Sequence, residues 1–188
     1  LEKAVLKVEA ILVAFDPETF VTERVNEVNV EFGGLPGDRH YGMTRPADVR
    51  QPMYERGTEI LNRRQVTIVS VEDCRLIADQ LGVPEVKPEW LGANLLVSGI
   101  SDFTKLTMGS RLIFPDGTGL ICNGENLPCK LPGKEIQKAF PDIPNLDKMF
   151  VLAGRKRRGI VCSVEKPGII GKGNEIKLFI NNYEKPMQ

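Results

Sequence analysis

The feature that most constrains this chain is the shortness of its apolar runs, which are broken every few residues by Gly, Pro, Asn or Asp. A helical bundle needs apolar residues recurring at helical spacing over long segments, whereas short alternating runs between turn formers suit strands. Val5–Val13 reads as a first strand, and Thr22–Phe32 follows with Val28, Val30 and Phe32 on one face. Gln65–Val69, Ala93–Val97, Arg111–Phe114, Thr118–Cys122, Gly159–Val164 and Glu175–Ile180 continue the series, with a hairpin at Asp116-Gly117 and a turn at Lys166-Pro167-Gly168. Ser70 and Asp73 form a capping box for a helix through Leu81 that Gly82 stops. A second helix opens at Pro132 or Gly133 and runs through Phe140. The expected fold is mainly β with a few helices (α+β). About eight or nine strands favour a closed or nearly closed β-barrel, since closure removes sheet edges.

At 188 residues the chain is long enough to bury roughly 70% of its unfolded surface as one domain, 1–188. Gly33–Gly57 holds five Gly and three Pro without helical period and is expected to be a long irregular loop. Loops of that length are usually functional or disordered. Its second part, 43–57, mixes Arg45, Asp48, Arg50, Glu55 and Arg56 with few apolar anchors, the texture of a mobile segment or lid.

The 25 basic side chains balance the 25 acidic ones, so no global field draws the chain to nucleic acid or to a membrane surface. No apolar run approaches the roughly 20 residues needed to span a bilayer. With no signal-peptide layout, a cytoplasmic location is expected. Cys74, Cys122, Cys129 and Cys162 show neither CxxC pairing nor zinc-finger spacing. They read as reduced thiols.

Two segments carry chemistry. In Leu35-Pro36-Gly37-Asp38-Arg39-His40-Tyr41-Gly42, the glycines allow backbone amides to turn inward as an anion nest, Arg39 supplies a planar donor fork, and His40 is the only imidazole of the chain. A glycine-rich turn with solvated charges is the plainer alternative. In Asn126-Leu127-Pro128-Cys129-Lys130-Leu131-Pro132, Cys129 leaves the strand pattern and precedes a helix start, where terminal amides favour a thiolate. A thiol of pKa near 8.5 is only about 3% ionised at pH 7, and a nearby cation raises that fraction. Joined to the first segment, Cys129 becomes a sulfur nucleophile or a soft-metal ligand. Cys74, Cys122 and Cys162 suit core roles. The cluster Arg155-Lys156-Arg157-Arg158 reads as a solvated loop, although alternation with Ile160, Cys162 and Val164 would aim Arg158 into a barrel mouth.

Several elements recur in one order: Gly-Asp-Arg-His-x-Gly after two strands, Asn94-Leu95-Leu96-Val97-Ser98-Gly99, Leu106–Leu112, Pro128-Cys129, Arg158-Gly159, and Pro167-Gly168-Ile169-Ile170-x-Lys172-Gly173-x-x-Ile176. Together they resemble the MOSC domain in its stand-alone bacterial form, over about Val5 to Ile180. That family is named for the C-terminal module of molybdenum cofactor sulfurase. The resemblance implies a β-barrel and a cysteine that carries sulfur or ligates molybdenum, a role falling on Cys129. It assigns the glycine-loop role to Gly37, Asp38, Arg39, His40 and Gly42, and further cofactor contacts to Asn94 and Arg158. Where the family commonly has arginine before that asparagine, this chain has Ala93.

The implied function is that of a sulfur carrier or sulfurtransferase. Cys129 would take sulfane sulfur as a persulfide, helped by Arg39 or His40, and pass it to a metal–sulfur (molybdenum) cofactor or small acceptor. A cysteine desulfurase-type donor would be the partner, and pyridoxal phosphate would enter only with that donor. Two alternatives stand beside this: a molybdenum-cofactor binder or reductase component with Cys129 as metal ligand, and a noncatalytic barrel binding an anion or a protein. On the first reading, Cys129 and the Gly37–Gly42 loop share a pocket at a barrel mouth, with Asn94 and Arg158 facing it.

Overall fold

The computed structural model describes residues 2–182; Leu1 and 183–188 are outside the described residues. Strand β1 (Glu2–Val13) is the spine of the fold. Its later residues, Ala10, Ile11, Leu12 and Val13, are all buried, so this half of the strand is covered on both faces. The chain then makes β2 (Glu23–Val25), β3 (Glu27–Val30), β4 (Thr44–Pro46), β5 (Glu59–Leu61) and β6 (Val66–Ser70) before the first helix, α1 (Val71–Leu81). After a 3₁₀ turn at Pro88–Leu91 come β7 (Leu95–Ser98), β8 (Arg111–Ile113) and β9 (Gly119–Glu125). Helices α2 (Lys130–Ala139) and α3 (Leu146–Ala153) precede β10 (Ile160–Lys166), β11 (Gly168–Gly171) and β12 (Glu175–Ile180). None of the described helices is long and apolar enough to cross a membrane.

Seven strands close into a barrel in the order β12-β8-β9-β10-β6-β7-β1, sealed by the antiparallel pairing of β1 with β12 that sets Leu6 opposite Ile176. Every pair is antiparallel except β6–β7. Parallel neighbours need a crossover, and α1 lies on that connection. Ser70 caps α1 by accepting from the Asp73 amide at 3.0 Å, and Gly82 ends it in the left-handed conformation. Leu6, Val66, Ile68, Leu120, Cys122, Ile160 and Cys162 fill the barrel interior. A second core, including Val69, Cys74, Ile77, Leu91, Ile136, Leu146 and Phe150, forms between the outer wall and the three helices. Val66 and Ile68 face inward while Val69 faces the helices, so alternation sets Thr67 on the outer face of β6 as well.

Four expectations change. Thr22–Phe32 is not one strand: β2 joins the barrel through β1, then β3 leaves it to pair with β11. Val30 is buried, but Phe32 lies in the tight turn closed by the Glu31–Gly34 bridge and is exposed. The 33–57 segment is not wholly irregular, because β4 and β5 pair as the arms of a flap, with Arg45 opposite Ile60. Helix α2 begins at Lys130 rather than Pro132 or Gly133, with Cys129 itself at the N-cap. Pro132 fits there because first-turn amides have no intrahelical acceptor. Helix α3 has no counterpart among the expected elements; its buried Leu146, Phe150 and Ala153 follow helical spacing immediately after Pro144.

One latch ties the loop after β3 to the barrel. The Asp38 carboxylate accepts from the Ala14 amide (2.8 Å), the Asn94 side-chain amide (2.8 Å), the His40 amide (2.8 Å) and His40 Nδ1 (2.9 Å). Asn94 is itself shared: its side-chain oxygen accepts from the Thr67 amide and its amide also donates to the Leu12 carbonyl. Burial alone would raise the Asp38 pKa, but the hydrogen bonds from His40 and Ala14 outweigh it and hold the group below the ordinary carboxylate value.

Asn94→Ala would take one of two donors from a buried Asp38 oxygen and leave the Thr67 amide without its acceptor, and should cost about 3 kcal/mol in denaturant unfolding at pH 7. Because the folded Asp38 pKa is depressed, its stabilising effect is complete above about pH 4 and is lost as pH falls through the lowered folded value. Asp38→Asn should therefore flatten the acid limb of the stability profile. A parent-like stability for Asn94→Ala, or an unchanged acid limb for Asp38→Asn, would remove the latch.

Candidate functional site

Cys129 lies at the N-cap of α2, where a side chain ordinarily accepts from the second or third helical amide. The third helical residue here is Pro132, which has no N–H, and no capping bond forms to the sulfur. The thiol is half-buried, whereas Cys74, Cys122 and Cys162 are buried. Burial, with help from Asp73, pushes Cys74 up to about 12. Burial likewise raises Cys122, and it raises Cys162 well above the ordinary thiol value. Of the four cysteines, only Cys129 lines a cavity shared with the polar loop after β3.

That cavity, of about 570 Å³, is walled by Arg39 and His40 from the loop after β3, by Arg45, Asp48 and Arg50 from the flap, and by Asn62 and Arg64 beyond it. Thr67 of β6, Leu91-Gly92 of the 3₁₀ turn, Asn126, Cys129 and Leu131 around the start of α2, and Arg158 before β10 also line it, with Phe20, Tyr41, Thr44 and Pro46. Since Thr67 faces outward from β6, the cavity lies against the outer wall of the barrel beside the helical layer, not in a barrel mouth.

Arg158 reaches this cavity for a definable reason. Gly159 takes φ +81°, and a Cβ there would stand 2.0 Å from the Ile68 carbonyl oxygen, so only glycine fits. The left-handed residue breaks strand alternation. Arg158 therefore does not share the inward face of Ile160 and Cys162, as strict alternation would require. Its Nη1 donates to the Leu127 carbonyl at 2.7 Å and to Asn126 Oδ1 at 3.4 Å, while Nε is buried with no partner. Burial lowers the proton affinity of this guanidinium, and the neighbouring Cys129 partly offsets that effect. A hydrogen-bonded chain supports the turn from behind: the Gly159 amide donates to Thr104 Oγ1 (2.7 Å), whose hydroxyl donates to Asp73 (2.7 Å).

Arg64 shares Asn126 with Arg158, donating to the same Oδ1 at 2.7 Å. Its pKa falls to about 10, through burial first and then through repulsion from Arg50, Arg158 and Arg45. On the flap, Asp48 accepts from Arg45 (2.5 Å) and Arg50 (2.7 Å). Burial would raise Asp48, but the Arg50 amide and the two guanidinium groups hold it at about 2. Five arginines thus face one carboxylate in the cavity wall. The site is a strongly cationic cavity with a thiol in it, built on a chain of zero net charge.

Arg39, His40, Cys129 and Arg158 come together around this cavity, as expected. Gly37, Asp38, Gly42 and Asn94 stand outside its lining, and Asn94 does not face it as the shared-pocket reading required. The loop also forms no open nest. The amides of Asp38, Arg39, Tyr41 and Gly42 bond to backbone carbonyls, and that of His40 bonds to the Asp38 carboxylate. The anion this loop holds is its own. With Asp38 ionised, His40 Nδ1 is the donor of their bond, which leaves Nε2 as the ring nitrogen free of that bond. Sequence reasoning missed Arg64, Asn126 and Thr67 as cavity residues. Asn126 was findable by its place beside Pro128-Cys129; Arg64 and Thr67 carry no local signal.

Among known proteins, a model of the MOSC domain matches residues 36–177. The chain is 48% identical over 182 residues to YuaD of Bacillus subtilis (strain 168), a protein named for metal-sulfur cluster biosynthesis, covering 97% of this chain and 93% of that one. The crystal structure of the Bacillus subtilis YuaD protein superposes with a TM-score of 0.94 over 96% of this chain and 99% of the other. YiiM from Geobacillus stearothermophilus, 15% identical, shares the fold at a TM-score of 0.62 over 93% of this chain and 75% of its own. YiiM from Escherichia coli, 17% identical, does so at 0.57 over 95% and 72%. A family match over most of the length, and a relative nearly half identical from end to end, show that this chain belongs to the MOSC domain family.

Proposed function

We propose that the protein is a sulfur carrier in which Cys129 accepts sulfane sulfur and hands it to a metal–sulfur cofactor or a small acceptor. The observation that carries this reading is the placement of one half-buried thiol among five arginines, while the other three thiols are buried. In the loading step the Cys129 thiolate attacks the outer sulfur of a donor persulfide. The new bond joins Cys129 Sγ to that sulfur, and the donor's inner sulfur leaves with the electron pair as a thiolate. The product persulfide is an anion, and Arg158 and its neighbours are placed to hold it. His40, oriented by Asp38, is the group in the wall that can take the thiol proton. The name of the Bacillus subtilis relative, metal-sulfur cluster biosynthesis, supports this class of role. The donor would be a desulfurase-type partner.

A second reading is favoured by the same donors. The unpartnered Nε of Arg158 and the crowded guanidinium groups suit anionic groups, and a thiolate is a soft ligand, so the residues present fit a molybdenum cofactor. Cys129 would hold the metal and the arginines the anionic portion. The cofactor would supply redox chemistry when bound. The described residues contain no cluster of three or more His, Cys, Asp or Glu that would hold a bare metal ion.

Two experiments test the carrier reading. Limited alkylation of the native protein should label Cys129 at least about tenfold faster than any other cysteine. His40→Gln, which can keep a donor toward Asp38, should slow that labelling at pH 7 while leaving the melting temperature close to the parent's. Dominant labelling of Cys74, Cys122 or Cys162 would sink the assignment, and an unaltered pH–rate profile would take His40 out of it. Incubation with a cysteine desulfurase and cysteine should place one added sulfur on Cys129, and none on Cys129→Ser. Molybdenum and a pterin bound to freshly purified protein, without any persulfide, would favour the second reading instead.

A further inference from the structure

The charge of the cavity exceeds what a protein-bound persulfide can neutralise. Arg39, Arg45, Arg50, Arg64 and Arg158 against Asp48 leave an excess of four positive charges before His40 is counted. A Cys129 thiolate takes one, and a donor persulfide bearing a single charge would leave two unbalanced in a partly buried site. Arg64 sits among these charges with its proton affinity lowered first by burial and then by Arg50, Arg158 and Arg45. A dianionic donor, its charge shared between oxyanion oxygens and the transferable sulfur, would come close to balancing the site. Guanidinium forks match such planar-edged oxyanion faces in a way that a lone sulfur anion cannot exploit.

We infer that the cavity accepts a small sulfane-sulfur oxyanion, thiosulfate being the simplest, and that Cys129 takes its outer sulfur directly, without a protein donor. This rests on the carrier reading of Cys129 and names its donor class. The reaction balances with no added oxidant. The Cys129 thiolate attacks the sulfane sulfur, a bond forms between Sγ and that sulfur, and the bond to the sulfonyl sulfur breaks. The electron pair leaves on sulfite, giving Cys129 persulfide and one sulfite ion. Charge moves from Sγ onto the departing sulfite oxygens. Arg158 stands beside Cys129 and the other arginines line the same cavity, so donors to the departing sulfite are in place before the reaction.

Arg158 has the sharpest part in this scheme. It is 8% exposed, its Nη1 is fixed on Leu127 and Asn126, and its buried Nε–H has no acceptor in the protein. A buried donor without an acceptor is costly, and a ligand oxygen would satisfy it. Asn126 holds Arg158 and Arg64 on one oxygen, so the two guanidinium groups present themselves as a pair. The flap contributes Arg45 and Arg50 to the same lining.

The test incubates the reduced full chain with thiosulfate, then reads intact mass, the modified peptide and released sulfite. The expected result is one added sulfur on Cys129 with stoichiometric sulfite, none on Cys129→Ser, and turnover to thiocyanate when cyanide is supplied as acceptor. Sulfate or sulfite should compete. Arg158→Gln and Arg64→Gln should each raise the half-saturating thiosulfate concentration about tenfold or more. Arg50→Gln, at an exposed position, is the companion variant should the buried replacements fail to fold, and it should raise that concentration severalfold. Persulfide formed from a desulfurase but none from thiosulfate would overturn this inference and leave the carrier reading standing. Failure with both donors would overturn both. Loading by thiosulfate with half-saturation unchanged in all three arginine variants would show simple thiol reactivity and overturn the arginine-held site.

Discussion

A single buried carboxylate joins barrel, loop and site. Asp38 has a fully buried side chain, and its two oxygens reach the end of β1 at Ala14, the start of β7 at Asn94 and the imidazole of His40. An ionised carboxylate in that position survives only because each oxygen meets two donors. Its partners then cannot move independently. The loop that bears Arg39 is clamped from the other side by Asn62, whose amide donates to the carbonyls of His40 and Gly42. The first wall of the cavity is thus tied to the barrel by hydrogen bonds on both sides.

The strands and the first helix were readable because their signals are local. Alternation marked β1, β6 and β12, and Ser70, Asp73 and Gly82 bracket α1 by mechanisms that act within a few residues. The pairing of distant segments was readable in part: the polar loop and the Pro-Cys turn do meet. What local rules could not carry was direction. Gly37 and Gly42 suggested amides turned toward a ligand, yet the loop closes around Asp38. Alternation aimed Arg158 inward, yet the left-handed Gly159 redirects it. Asn94 was placed at the site by likeness alone, and its hydrogen bonds show it serving the wall behind the cavity. Thr67 and Arg64 became cavity residues only through tertiary neighbours, which no window of sequence contains.

Composition hid the most informative property of the site. A chain whose charges cancel overall still gathers five guanidinium groups into one depression, drawn from four separate stretches of sequence. The repulsion among them is a standing cost, relieved in part by Asp48 on the flap and by the shared oxygen of Asn126. Such crowding is an electrostatic setting in which an anion would be stabilised. The departure from the family pattern at Ala93, which removes one expected cation, leaves an abundance of others.

The segregation of the cysteines sets the molecularity of whatever this protein does with sulfur. Cys122 and Cys162 sit opposite each other in the β9–β10 ladder inside the sealed barrel, and Cys74 lies under the helices. None of them shares the cavity of Cys129. A sulfur atom or an oxidised state acquired at that position has no internal thiol to resolve it, so each cycle must be closed by a second molecule. Toward its surroundings the protein behaves as a monothiol.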